Sequence, residues 1–169
     1  MIVGYILIGI SFILDGVLTN FLPYNVSALS LFTPLTTIVC LVLIYPFFYH
    51  QEKRYYIVSL IVGLLYDLFY TNMLFYNCFL FLLVAFVSIK LYKIMGTGII
   101  KNMLIVFITI VSYETVTAIM MLIFNLVPVT PYKLIYKIGH SLILNLIYAE
   151  ILYGVLKLIP KKYYKFRIN

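Results

Sequence analysis

Long apolar stretches separated by short polar breaks make up nearly the whole chain, and the spacing of the breaks predicts six membrane-crossing helices. About 20 apolar residues cross a hydrocarbon core of ~30 Å. By that ruler the spans fall at about 2–22, 27–49, 55–70, 74–92, 99–126 and 134–157. Pro23 closes the first, Pro34 lies inside the second, and Thr71-Asn72-Met73 links the third to the fourth. The first arm of the 55–92 hairpin is short, so a re-entrant pair is the alternative to two full crossings. The first stretch has no Lys or Arg ahead of it, contains Asp15 and precedes no small-x-small cleavage site, so it reads as a permanent span and not a signal peptide. The pattern implies an all-α integral membrane protein: a single domain, a six-helix transmembrane bundle over residues 1–169, ending in a short basic cytoplasmic tail at 158–169.

Polar residues inside the spans recur at helical spacing. Ser11, Asp15 and Thr19 place a stripe on one face of the first span. Ser59, Gly63 and Asp67 repeat it in the third, where Ser59 and Gly63 form a small-xxx-small pair that permits close helix approach. Ser141, Asn145 and Ala149 form another stripe in the sixth, with Glu150 and Gly154 on a neighbouring face. Ser112, Glu114, Thr115 and Thr117 lie at mid-depth in the fifth. The small and hydroxyl residues fit helix packing. The acids Asp15, Asp67, Glu114 and Glu150 leave two readings open, internal hydrogen bonding or a proton or solute path. A carboxylate in hydrocarbon costs about 2.5–3.5 kcal/mol even on mild scales. Tyr113 and Tyr148 are also mid-span and need hydrogen-bond partners.

Charge turns the pattern into a topology. Four of the five acidic residues lie inside apolar runs, only Glu52 sits among other charges, and the twelve basic residues lie at or beyond the ends of the runs. With a cytoplasmic N-terminus, ten Lys and Arg fall inside the cell and only Lys133 and Lys137 outside, which places both termini in the cytoplasm. At 10% charged residues and a mean hydropathy of +1.13, the chain is no soluble globule. The net charge of +7 belongs to membrane edges, so anionic lipids at the basic tail are the expected partners and nucleic acid is not. Seventeen Tyr and no Trp include interfacial pairs such as Tyr55-Tyr56 and Tyr163-Tyr164.

No catalytic, cofactor or metal constellation emerges. His50 and His140 fall near opposite faces, and Cys40 and Cys78 read as small apolar residues. Asp15 and Asp67 fall towards the same outer half, as an intramembrane aspartyl protease would need, but without recognisable flanking motifs.

Gly63-Leu64-Leu65-Tyr66-Asp67-Leu68, the following turn Tyr70-Thr71-Asn72-Met73-Leu74 and the apolar run Phe79–Ala85 resemble the signature of the bacterial rod shape-determining protein MreD family. The stretch from Asn145-Leu146-Ile147-Tyr148 to Leu152-Tyr153 is similar to that family's last span. Many members carry glycine at the hairpin turn where this chain has Asn72 and Asn77; asparagine tolerates left-handed geometry, so a hairpin is still expected. The resemblance implies a non-enzymatic scaffold of the cell-elongation machinery in the bacterial inner membrane. It would bind MreC, and through it MreB, RodA and a class B penicillin-binding protein, by an exposed stripe around Ser59, Gly63 and Asp67. It also implies a fold similar to the substrate-binding subunits of energy-coupling-factor vitamin transporters, which makes such a subunit the alternative function. Those subunits often present Ala-x-x-x-Ala on span one; here that span holds Gly4 and Gly9 and no alanine. A proton-coupled carrier using Glu114 and Glu150 is a third reading.

Overall fold

A computed structural model describes residues 2–21, 34–49, 51–71, 74–124 and 130–159, and all regular structure among them is helical. The helices are α1 (Ile2–Phe21), α2 (Thr36–Phe48), α3 (Glu52–Tyr70), α4 (Tyr76–Met95), α5 (Ile99–Ile123) and α6 (Pro131–Leu158). Four of them carry segments long and apolar enough to cross a membrane: α1, α4, α5 and Leu134–Leu158 of α6. The 13 residues of α2 rise only about 20 Å. The 19 residues of α3 rise about 28 Å, but α3 begins on Glu52-Lys53-Arg54 and carries Asp67.

The short helix is the centre. α2 packs against α1, α4, α5 and α6, and every residue in it except Tyr45 is buried. A helix apolar on all sides belongs in a core, and here neighbouring helices surround it. Pro34 precedes α2 instead of lying within it, because the described helix starts only at Thr36; residues 27–33 of the expected second span lie outside the described residues. Pro46 sits in the last turn of α2, just before the chain leaves the helix.

α3 packs chiefly on α4. A Cβ added at Gly63 would stand 2.8 Å from both the Asn77 carbonyl oxygen and the Cys78 Cα, so only glycine lets the two backbones approach so closely. At the opposite end of the hairpin, Lys93 Nζ and Glu52 lie 2.6 Å apart. Asn72 lies outside the described residues. Among the described residues of the turn, the left-handed one is Phe75, with φ of 67°, and Asn77 lies one residue into α4 instead of in the turn.

Candidate functional site

Both α2 and α4 start badly by local rules. Their N-cap residues are Leu35 and Phe75, and neither offers a capping side chain. The first N–H groups of a helix have no intrahelical acceptor, and hydrocarbon supplies no water for them. In each case the preceding helix delivers an aspartate across the bundle.

Asp15 of α1 accepts hydrogen bonds from the Thr36 N–H and hydroxyl, each at 2.7 Å through Oδ1, and from the Thr37 N–H at 3.0 Å through Oδ2. Asp67 of α3 does the same for α4. Its Oδ1 accepts from the Asn77 N–H and Nδ2, both at 2.9 Å, and its Oδ2 from the Cys78 N–H at 3.2 Å. The Thr71 hydroxyl adds a bond to Oδ1 at 2.9 Å. Both acids are buried. A carboxylate at a helix N-terminus gains from the helix dipole as well as from charge-assisted hydrogen bonds. Asn145 of α6 completes the α2 start: its Oδ1 accepts the Leu35 N–H at 2.9 Å, while its Nδ2 donates to the Ser141 carbonyl at 2.7 Å. The first turn of α2 is therefore held from α1 and α6 together.

Glu114 of α5 is resolved differently. Its side chain is fully buried, and its Oε2 lies 2.8 Å from Lys137 Nζ on α6. Lys137, assigned by the sequence pattern to an outer loop, is two turns into α6, where its long aliphatic stem carries the ammonium inward with a third of the side chain still exposed. Oε1 of Glu114 and the Thr117 hydroxyl have no hydrogen-bond partner among the described residues.

The stripe of Ser59, Gly63 and Asp67, expected to be exposed to a partner helix, is buried. Gly63 and Asp67 are both spent on α4: the same small residues that invite a partner helix invite the next helix of the chain first. Asp15 and Asp67 do not form a pair; each serves its own helix start, as a protease dyad would not. Glu114 and Glu150 do not converge either, since Glu114 is buried while Glu150 is exposed on α6. Tyr148 meets Ser11 at 2.7 Å, and Tyr113 donates to Asn77 Oδ1 at 3.3 Å. Among the described residues no group of three His, Cys, Asp or Glu comes together.

Sequence reasoning missed Thr36, Thr37, Asn77, Cys78 and Lys137. Four of these contribute backbone N–H groups, which no side-chain pattern displays. The available signal was an apolar residue at each helix start combined with an unpaired acid in the span before it.

A search of curated proteins and of solved structures returned no match to this chain. A family model described as rod shape-determining protein MreD matches residues 1–166. With a bundle whose inward acids cap and pair its own helices, and a family match running almost from end to end, this membrane protein belongs to the rod shape-determining MreD family.

Proposed function

We propose that the chain is a non-enzymatic scaffold of the bacterial cell-elongation complex, resident in the inner membrane with six crossings and both termini in the cytoplasm. It binds MreC, reaches MreB, RodA and a class B penicillin-binding protein through it, and helps control lateral wall synthesis. The observation that carries this reading is the family match over residues 1–166. The internal bonding of the acids supports it over the carrier reading: Asp15, Asp67 and Glu114 are engaged in holding helices, and Glu150 lies apart from Glu114 on the outer face of α6, so the two glutamates form no shared path. Likeness of the bundle to energy-coupling-factor subunits belongs to the same proposal, as does contact of the basic tail with anionic lipid.

The test is co-expression of a tagged chain with its host's MreC, followed by purification in mild detergent. The expected result is one complex of both proteins. Separate elution overturns the scaffold reading, and a vitamin carried by the chain would replace it with the transporter subunit. Asp67→Leu is a poor probe of this interface, because it strips the α4 start of its cap.

A further inference from the structure

Three of the four intramembrane acids face inward. Glu150 alone is exposed, and its surroundings point to a partner. α6 buries Ser141, Asn145, Ala149 and Leu156, while Ile143, Ile147 and Ile151 on the opposite side are open. Glu150 lies beside Ile147 and Ile151 on that open side, and no hydrogen bond or ion pair among the described residues involves it. It stands seven residues before Lys157, which is roughly 10 Å along the helix from the basic end. The two methylenes of a glutamate do not span that distance, so its carboxylate stays at membrane depth. Acids at such depth face a protein interior, a cavity or a partner. Gly154 follows one turn later, and a Cβ there would meet nothing within 4 Å, as would one at Gly139 nearer the start of α6. Small positions let a second helix backbone come close.

We infer that the open face of α6 around Glu150 and Gly154 docks a transmembrane helix of another protein, one that presents a hydrogen-bond donor or a cation at the depth of Glu150. This rests on the scaffold reading and adds to it the face and the chemistry of the contact. Charge complementarity selects the occupant. A second copy of this chain, related by a two-fold axis along the membrane normal, would bring α6 to α6 at equal depth and set Glu150 against Glu150. A donor-bearing helix answers the carboxylate; an apolar helix or lipid tail leaves it unpaired.

The test places a photo-crosslinking benzoylphenylalanine at Ile147 or Ile151 of the full chain in its host's membranes, with Leu60 on the exposed side of α3 as the comparison position. The expected product joins a different protein through a transmembrane segment with a donor side chain near its cytoplasmic end. Glu150→Leu should cut the yield about three- to thirtyfold, the worth of one interhelical hydrogen bond in a membrane. Glu150→Lys should cut it further, and an acid in place of the partner's donor should then restore it. Glu150→Leu removes an exposed charge from a membrane face, so the variant is expected to insert at least as well as the parent. Crosslinking to a second copy or only to lipid, or a yield indifferent to Glu150→Leu and Glu150→Lys, overturns the inference. Capture of a partner at Leu60 with none at Ile147 or Ile151 overturns the α6 face and leaves the scaffold standing. Capture at none of the three also overturns the α6 face, while the scaffold reading stands or falls on co-purification with MreC.

Discussion

At the residue scale, an acid in an apolar span is explained by what its two oxygens accept. Asp67 satisfies two backbone N–H groups of α4, and its loss orphans both inside an apolar hairpin. Each orphaned buried donor costs about 1–3 kcal/mol, so Asp67→Leu should destabilise the fold by about 2–6 kcal/mol, and Asp67→Asn, which keeps one acceptor oxygen, by roughly half of that. Thermal unfolding of the purified variants in detergent checks the order; equal stability of Leu and Asn variants would refute the capping role. Gly63 is the matching steric case. Its neighbours at 2.8 Å are backbone atoms of Asn77 and Cys78, which cannot swing aside as a side chain would. Gly63→Ala should therefore cost about 1–3 kcal/mol by overpacking, seen as a lower midpoint in the same unfolding assay. Gly16 makes the contrast: a Cβ there meets the end of the Tyr70 side chain and not backbone, although the Tyr70 hydroxyl is held by the Phe12 carbonyl at 2.7 Å. The sequence located both aspartates and the small-xxx-small face, because apolar context and four-residue spacing are written in side chains. It did not reveal the acceptors' partners, because Thr36, Thr37, Asn77 and Cys78 act through their backbones.

At the element scale, consecutive helices make the broadest seams, and α2 ties them together by also packing on α4, α5 and α6. The apolar run of α2 reads like any other span in the sequence; only packing distinguishes a helix wrapped by neighbours from one facing lipid. The α5–α6 seam holds the buried ion pair Glu114–Lys137. Desolvating two charges offsets much of their attraction, whereas removing one partner strands the other. Lys137→Met should therefore destabilise by about 3 kcal/mol or more, the lower end of the range for breaking a buried pair because Lys137 remains partly exposed. Adding Glu114→Leu to it should recover most of the loss. A double variant less stable than Lys137→Met in chemical or thermal unfolding would show that Glu114 has another role, for which its unpartnered Oε1 is the place to look. Lys137 is not legible as an inward residue in the sequence, because a lysine near a span end reads as a loop residue. The observed α6 starts at Pro131, a residue suited to a helix's first turn, and so carries Lys137 inward.

At the scale of the whole molecule, the internal bonds put both aspartate caps on one side of the bundle, and the distribution of basic residues is the basis for proposing which side that is. Asp15 and Asp67 lie in the later parts of α1 and α3, and each caps the start of the helix that returns. Both caps thus belong at the side opposite Lys53, Lys90, Lys101 and Lys157, which the Lys and Arg count assigns to the cytoplasm. Single cysteines test this directly. Cys40 and Cys78 are buried and should label weakly in intact cells. Leu74→Cys, at the exposed turn before α4, should react with an impermeant maleimide from outside, and Thr97→Cys, in the Gly96–Gly98 turn, only after the cells are permeabilised. Labelling of Thr97→Cys from outside would invert the chain in the membrane. Failure of Leu74→Cys to label from outside, with Thr97→Cys inside, would make α3 and α4 a re-entrant pair. Two full crossings are the proposed arrangement: α4 rises about 30 Å over its 20 residues, and α3 packs chiefly on it. A hairpin of that reach, closed at one end by Lys93 and Glu52 and at the other by Asp67, matches the hydrocarbon thickness without needing to turn back inside it.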